Sequence, residues 1–504
     1  MRALGVAMVG LFGDAAGVQA RRAGGRAVRR TAAAAAVCVL AACSSAAAAT
    51  AQGTSQRTSQ GSPDSGAAAA NYPAAAWPEF GKNAAHTGVA AGLPAAGKLT
   101  TRWTARLDGA VYAQPLVVGN LVIAATEDDS VYALSESTGK VVWRTHLGTP
   151  VPQSALNGCG DIFPLGITGT PIYDQANGLV YAVAETTPGY QHTLYGLSIT
   201  NGSVKVKRAV LITSAANTPE YNQQRPALAI TDGRVYVSFG GLFGNCGPHI
   251  GSIVGVPLSG KGALVSYFTP TTRQGAVWGT AGPVLGPDGD LWVGIANGEA
   301  TAPPYDGSDA VIRLTPTLKR IDLFAPSTWA NDNANDYDLG STQPVLAAGN
   351  VTFIVGKRGV GYLLDTLHLG GIGGQLAEAA ICSISGYGAK GAAAVNGSDI
   401  YEPCGSGGIA AVSVSAAKHT IKVLWHGPAD SNGSPTVGGG AVWVTAWNFS
   451  GTAAGTLYEL NPATGAVRYQ ISIPGGLPHF SAPTLVGGTV FLGTLDGVTA
   501  INGA

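Results

Sequence analysis

Residues Gln114 to Leu147 read QPLVVGNLVIAATEDDSVYALSESTGKVVWRTHL, and weakened copies of this stretch run through the rest of the chain. Each copy opens on a proline and a short apolar run, turns at a Gly-Asn or Asp-Gly pair, and continues as alternating apolar and polar residues. Many close on a glycine followed by a tryptophan. The alternation, seen at Asn120 to Ala125 and Val490 to Thr494, has a period of two and so specifies strands rather than helices. Later openings stand at Thr170-Pro171, Arg225-Pro226, Gly282-Pro283, Gln343-Pro344, Ala392 to Val395, Ser434-Pro435 and Ala482-Pro483. With Gln114-Pro115 these make eight. Spread over residues 101 to 504, the repeat is roughly 50 residues long, the length of a four-stranded propeller blade. The expected fold is therefore all-β, an eight-bladed β-propeller of four-stranded antiparallel blades.

The last copy, Ser481 to Asn502, holds only three apolar runs: Pro483 to Val486, Val490 to Gly493 and Val498 to Ile501. The isolated segment Thr101 to Leu107, TRWTARL, resembles the closing strand KVVWRTHL of the first copy. It is expected to complete the last blade and close the ring, which removes the open strand edges that invite aggregation.

Five arginines between Arg21 and Arg30 precede the apolar run Ala32 to Ala42, which is too short to span a bilayer. A basic stretch followed by such a run is the pattern of an export signal. Leu40-Ala41-Ala42-Cys43 resembles a bacterial lipobox, in which Cys43 would be lipidated and become the first mature residue. Simple cleavage in the same alanine-rich region, giving a secreted protein, is the competing reading. Residues 1–42 are thus expected to be a lipoprotein-type signal peptide and 77–504 the propeller. Residues 43–76, Ala, Ser, Gln and Gly with few bulky apolar side chains, are expected to be a disordered tether.

Six arginines and Asp14 lie in the first 42 residues, which leaves 23 basic against 28 acidic groups and a balance of −5. That argues against a nucleic-acid partner. Membrane contact is expected only through the lipid anchor, and a monomer is expected. Four cysteines remain in the mature region, and four allow three pairings. Cys159 and Cys246 lie in glycine-rich loops of consecutive copies, NGCGD and GNCGP, and Cys382 and Cys404 flank one strand pair of a single copy. The pairs Cys159 with Cys246 and Cys382 with Cys404 are preferred on that basis. Metal binding by Cys246 and His249 competes with the first pair, although no second Cys/His pair of that kind is present. No Cys-x-x-Cys-His occurs, so covalent haem c is excluded.

Val131-Tyr132-Ala133-Leu134 through Thr138-Gly139 to Trp143, and Leu457-Tyr458-Glu459-Leu460-Asn461-Pro462-Ala463-Thr464-Gly465, resemble the repeat of pyrroloquinoline-quinone (PQQ) propellers, the quinoprotein alcohol dehydrogenase-like group. Trp77-Pro78-Glu79-Phe80-Gly81 with His86-Thr87-Gly88 is similar to the segment before the first blade in that group. The resemblance covers residues 77 to 504. It implies fold more than activity, because the group contains dehydrogenases and scaffold lipoproteins alike.

For a dehydrogenase, the resemblance implies a site. Trp278 in Val277-Trp278-Gly279 would be the floor on which the quinone stacks. Asn297 would offer its amide oxygen to Ca²⁺, which needs several oxygen ligands with carboxylates among them. Asp336 or Asp338 would be a second metal ligand and the base that takes the alcohol proton. Lys357 would polarise a quinone carbonyl. Two departures weaken this site: the adjacent Cys-Cys pair is replaced by Cys159-Gly160-Asp161, and the carboxylate expected in the third copy is missing from Gly240-Gly241-Leu242-Phe243-Gly244-Asn245-Cys246. Two functions follow as expectations. One is a binding module for a protein, glycan or small alcohol or sugar ligand, with a degenerate quinone site. The other is a PQQ- and Ca²⁺-dependent dehydrogenase that oxidises an alcohol, polyol or sugar.

Overall fold

A computed structural model describes residues 72–93, 95, 97–448 and 454–503. The export signal, Cys43 and the tether up to residue 71 lie outside the described residues. Eight sheets follow one another around a ring, as the eight openings predict. The first blade runs from its inner strand Leu116–Val118 through Leu121–Ala125 and Ser130–Ser135 to the outer strand Val141–His146, all antiparallel. The inner strands of the next six are Ile172–Asp174, Ala229–Thr231, Val284–Leu285, Val345–Ala347, Ala394–Asn396 and Thr436–Gly438. Each lies at or a few residues beyond its predicted opening.

The eighth blade, Thr484–Val486, Thr489–Thr494 and Gly497–Asn502, takes its outer strand from the other end of the chain. Thr100–Arg106 pairs antiparallel with Gly497–Asn502, and Trp103 stands opposite Ala500. The ring is closed as expected.

The glycine and tryptophan of the repeat have a joint purpose. Trp143 of the first blade donates its indole N–H to the carbonyl of Ile199 in the second, at 2.9 Å, and its ring covers Gly202, where a Cβ would fall 2.6 Å from the ring. Trp425 does the same to Pro462 and Gly465 of the seventh blade. Trp103 does it to Glu136 and Gly139 of the first, so the N-terminal strand locks to its neighbour like any other outer strand. Only a residue without a Cβ leaves room for the indole, and each of these glycines also has a positive φ.

The core is divided among the faces between blades. Val180 and Tyr195 of the second blade pack against Ile123 and Val131 of the first, and equivalent clusters recur around the ring. Each of the inner three strands of a blade thus buries apolar residues on both sides, which is why they read as near-continuous apolar runs.

The segment before the ring-closing strand fills the axis, which the sequence did not announce. Ala75–Trp77 pairs with Leu116–Val118 and straddles the expected boundary between tether and propeller. The carbonyls of Pro78, Ala84 and Thr87 then accept hydrogen bonds from Tyr173, Leu285 and Val395 of the second, fourth and sixth blades. Val89–Ala90 pairs parallel with the inner strand of the seventh. At the top of this loop Phe80 packs against Ala227, Ala281, Ala392 and Ala482, one from each of four inner-strand openings. His86 lies edge-on to Phe80 and is fully buried, and burial pushes it down to about 4, so it is neutral.

Two disulfides staple the loops, Cys159 to Cys246 and Cys382 to Cys404. Cys382 and Cys404 do not belong to one copy. The first follows the outer strand Ala377–Ala380 of blade five and the second follows Asp399–Glu402 of blade six, so the bond ties neighbouring blades. Cys246 is consumed by its disulfide, which removes the metal reading of Cys246 with His249.

Candidate functional site on the loop face

Strand direction sorts every connection onto one of two faces. The links from inner to second strand and from third to outer strand are tight turns such as Gly119-Asn120 and Gly139-Lys140, and they form a turn face. The remaining links, including every connection from one blade to the next, form the opposite, loop face. All five residues suggested for a quinone site are on the loop face: Trp278 before blade four, Asn297 within it, Asp336 and Asp338 before blade five, and Lys357 within that blade.

They meet. The Lys357 ammonium is 3.0 Å from the nearest Asp336 carboxylate oxygens and 2.7 Å from Asp338 Oδ2, and it lies 5.4 Å from the centre of the Trp278 ring. Asp338 Oδ1 accepts the backbone N–H of Asn297 at 2.9 Å. Burial alone would lower Lys357, but Asp338 and Asp336 hold it above its ordinary range. Burial and the charge of Asp338 raise Asp336, against the pull of Lys357. Asp309 is fully buried behind Asp338 and raised well above the carboxylate range, by burial first and by Asp338 second. The cluster is a cation clamped between two carboxylates. Leu339, whose N–H bonds to Asp309 at 2.9 Å, ties it to the strands below.

Across the axis lies a second polar group that the sequence reading did not identify as a site. Arg225 donates to Asp161 at 3.1 Å and to His479 Nε2 at 2.7 Å. Burial, then the nearby guanidinium, pushes His479 down to about 3, so the imidazole is neutral and accepts the arginine proton. Asp161, in the stretch that replaces the adjacent cysteine pair, is held by Arg225.

Phe480 joins the two groups. Its ring is 6.2 Å from Trp278, 5.5 Å from Trp447 of the seventh blade and 5.7 Å from the Arg225 guanidinium. Blades three and seven are diametrically opposite in a ring of eight, so a side chain touching loops from both sits on the axis. Phe480 holds φ +66°, a left-handed conformation that a bulky residue adopts only when its surroundings impose it. Its carbonyl is fixed by the Ser434 hydroxyl at 3.0 Å. Phe80 closes the axis from below and Phe480 from above, and the cavity left between them, lined by Tyr112, Gln114, Arg225 and His479, holds about 20 Å³. That admits about one water molecule.

This geometry does not fit PQQ with Ca²⁺. The Trp278 ring already has Phe480 tilted against it and the Lys357 ammonium over it. Calcium requires six to eight oxygens, yet Asp336 and Asp338 are already occupied by a lysine. Among the described residues no group of three His, Cys, Asp or Glu is arranged to hold a metal ion.

The family model described as outer membrane protein assembly factor BamB matches residues 91–241. A comparison with curated proteins finds no match. Among solved structures, the chain is similar to a quinohemoprotein alcohol dehydrogenase from Comamonas testosteroni, with 17% identity, 87% of this chain and 81% of that one covered, and a TM-score of 0.63. It is similar to a europium-containing methanol dehydrogenase, at 14% identity over 85% and 98% of the two chains, TM-score 0.62. It is also similar to BamB from Moraxella catarrhalis, at 16% identity over 80% and 99%, TM-score 0.55. At such identities the likeness speaks to the fold. With its eight closed blades and its glycine–tryptophan locks, the chain is an eight-bladed β-propeller, and its residues 91–241 match a family model of the PQQ-repeat type.

Proposed function

We propose that this protein is an extracytoplasmic propeller that binds a partner on its loop face, and that its quinone position is filled by its own side chains. The observation that carries the proposal is Phe480 on the axis against Trp278, with Lys357 bonded to both aspartates that a metal or a substrate proton would require. The description of the matched family model as an assembly factor is in keeping with a binding role. A dehydrogenase is the second reading, favoured by the meeting of Trp278, Asn297, Asp336, Asp338 and Lys357 at one place.

Adding PQQ with excess Ca²⁺ to the purified protein separates the two. The expected result is unchanged tryptophan emission up to millimolar PQQ and no dye-linked oxidation of ethanol, glycerol or glucose. Saturable quenching with one PQQ per chain, together with oxidation lost in Asp338→Asn, would establish the dehydrogenase.

An exported protein in an oxidising compartment is also supported by the two disulfides. Lipidation at Cys43 gives a direct expectation: the Cys43→Ala protein leaves the membrane fraction and is recovered in the medium. Retention in the membrane fraction would count against the anchor.

A further inference from the structure

The loop face and the turn face differ in charge and in the side chains they leave exposed. On the loop face Asp128, Glu220, Glu299, Asp430 and Asp496 are half-exposed or exposed, and none forms an ion pair among the described residues. They come from blades one, four and eight and from the links before blades three and seven, so they encircle the face. Three arginines of this face, Arg144, Arg225 and Arg358, already hold Asp108, Asp161 and Asp332, while Arg273 bonds the Asn245 carbonyl. The turn face carries more cations: Lys140, Lys205, Lys261, Lys319 and Lys418, all exposed, stand at or beside the turns into the outer strands of five blades, among the aspartates Asp232, Asp365 and Asp399.

The centre of the loop face is aromatic. Trp278, Trp447 and Phe480 form a half-exposed shelf over the axis. Outside it, each disulfide carries a loop with exposed apolar side chains: Phe163 at 43% and Phe243 at 58% beside Cys159–Cys246, and Ile384 at 43% and Tyr387 at 51% beside Cys382–Cys404. Loops held by disulfides keep such groups in place, and an aromatic centre within a polar rim is the arrangement of a protein-binding patch.

The chain joins the propeller at the other face. Gly119 of the first turn donates to the Ala74 carbonyl at 3.0 Å, and the Tyr173 hydroxyl donates to the Pro73 carbonyl at 3.1 Å. The described chain therefore enters the propeller on the turn side.

We infer that the loop face docks a cationic polypeptide segment, whose lysines or arginines meet the carboxylate rim while an apolar side chain rests on the Trp278–Phe480–Trp447 shelf. This inference rests on the binding reading above and adds the class of partner. Complementary charge fixes orientation and the rate of encounter, and the desolvated aromatic centre supplies most of the affinity. Lys357 is neutralised by its two aspartates. Lys390, lowered by burial and by the like charge of Lys357, lies over Tyr387, so the centre favours an apolar group over a second cation.

The test uses a lysine-rich peptide with one central tryptophan, its glutamate counterpart, and the full mature protein at physiological salt. Calorimetry is expected to detect binding of the lysine peptide alone. The triple variant Glu299→Lys, Asp430→Lys, Asp496→Lys should weaken it at least tenfold, and Lys140→Glu, Lys261→Glu, Lys418→Glu should change it less than twofold. Hydrogen exchange should slow at residues 276–281 and 477–482 when the peptide binds. Equal binding of both peptides, no binding of either, or strengthening by the turn-face variant, which would mean that only net charge is sensed, would each overturn the inference. None of those outcomes restores a quinone site, so the binding reading stands or falls separately on the PQQ titration.

Discussion

A chain lacking residues 72–106 is expected to give no folded propeller. Three losses coincide in that deletion. The eighth blade loses its outer strand Thr100–Arg106, so Gly497–Asn502 becomes an open edge. The first blade loses the Trp103 lock at Glu136 and Gly139. The axis loses Phe80, which packs against the openings of four blades. A single substitution isolates the last effect: Phe80→Ala should cost about 3–5 kcal/mol, the range for removing a buried phenylalanine whose surroundings are too rigid to collapse. The four alanines at the contact are too small to fill the space. Urea unfolding of Phe80→Ala and size-exclusion chromatography of the truncated chain check both parts. A soluble truncated chain with one cooperative transition would show that the ring does not depend on its N-terminal segment.

Raising the pH should weaken the protein through Glu402, and Glu402→Gln should remove that part of the dependence. Glu402 ends the second strand of blade six with 1% of its surface exposed and with Oε1 unpartnered. Burial pushes its carboxyl from an ordinary 4.5 up to about 8. The folded state therefore holds this proton more tightly than the unfolded one. The resulting stability is complete below pH 4.5 and is lost as the pH rises through about 8. Over that window the loss is on the order of 4 to 5 kcal/mol, an upper bound because water can reach a charged group by local opening. Urea midpoints of the wild type and Glu402→Gln across pH 5 to 9 should diverge, with the variant the flatter of the two. Parallel curves would mean that Glu402 finds a partner on ionisation.

Why the blades were legible and the axis was not has a physical cause. A blade is a local object: its inner strand, turns and closing tryptophan lie within roughly 50 residues, and its glycines stand where an indole of the preceding blade must fit. That made Gln114-Pro115 and its seven copies readable, and the orphan TRWTARL readable as a closing strand. The five quinone-site residues also converged as the topology requires, since each occupies a loop-face link. What filled the site was hidden. Phe480 sits in the link Leu477-Pro478-His479-Phe480 between blades seven and eight, and nothing in that stretch states that its aromatic ring crosses to Trp278 just over two hundred residues away. The thread from Ala75 to Ala90 is held largely by backbone carbonyls of Pro78, Ala84, Thr87 and Gly88, groups that every residue carries. Likewise, spacing placed Cys382 and Cys404 in one copy, whereas the fold puts them on adjacent blades.

The account turns on what lies against Trp278. A crystal structure of the mature protein grown with PQQ and Ca²⁺ tests it directly: the expected result is the Phe480 ring on the axis, Lys357 between Asp336 and Asp338, and no planar density beside the indole. Tricyclic density stacked on Trp278, with Phe480 turned away and Ca²⁺ in the place of the Lys357 ammonium, would contradict it.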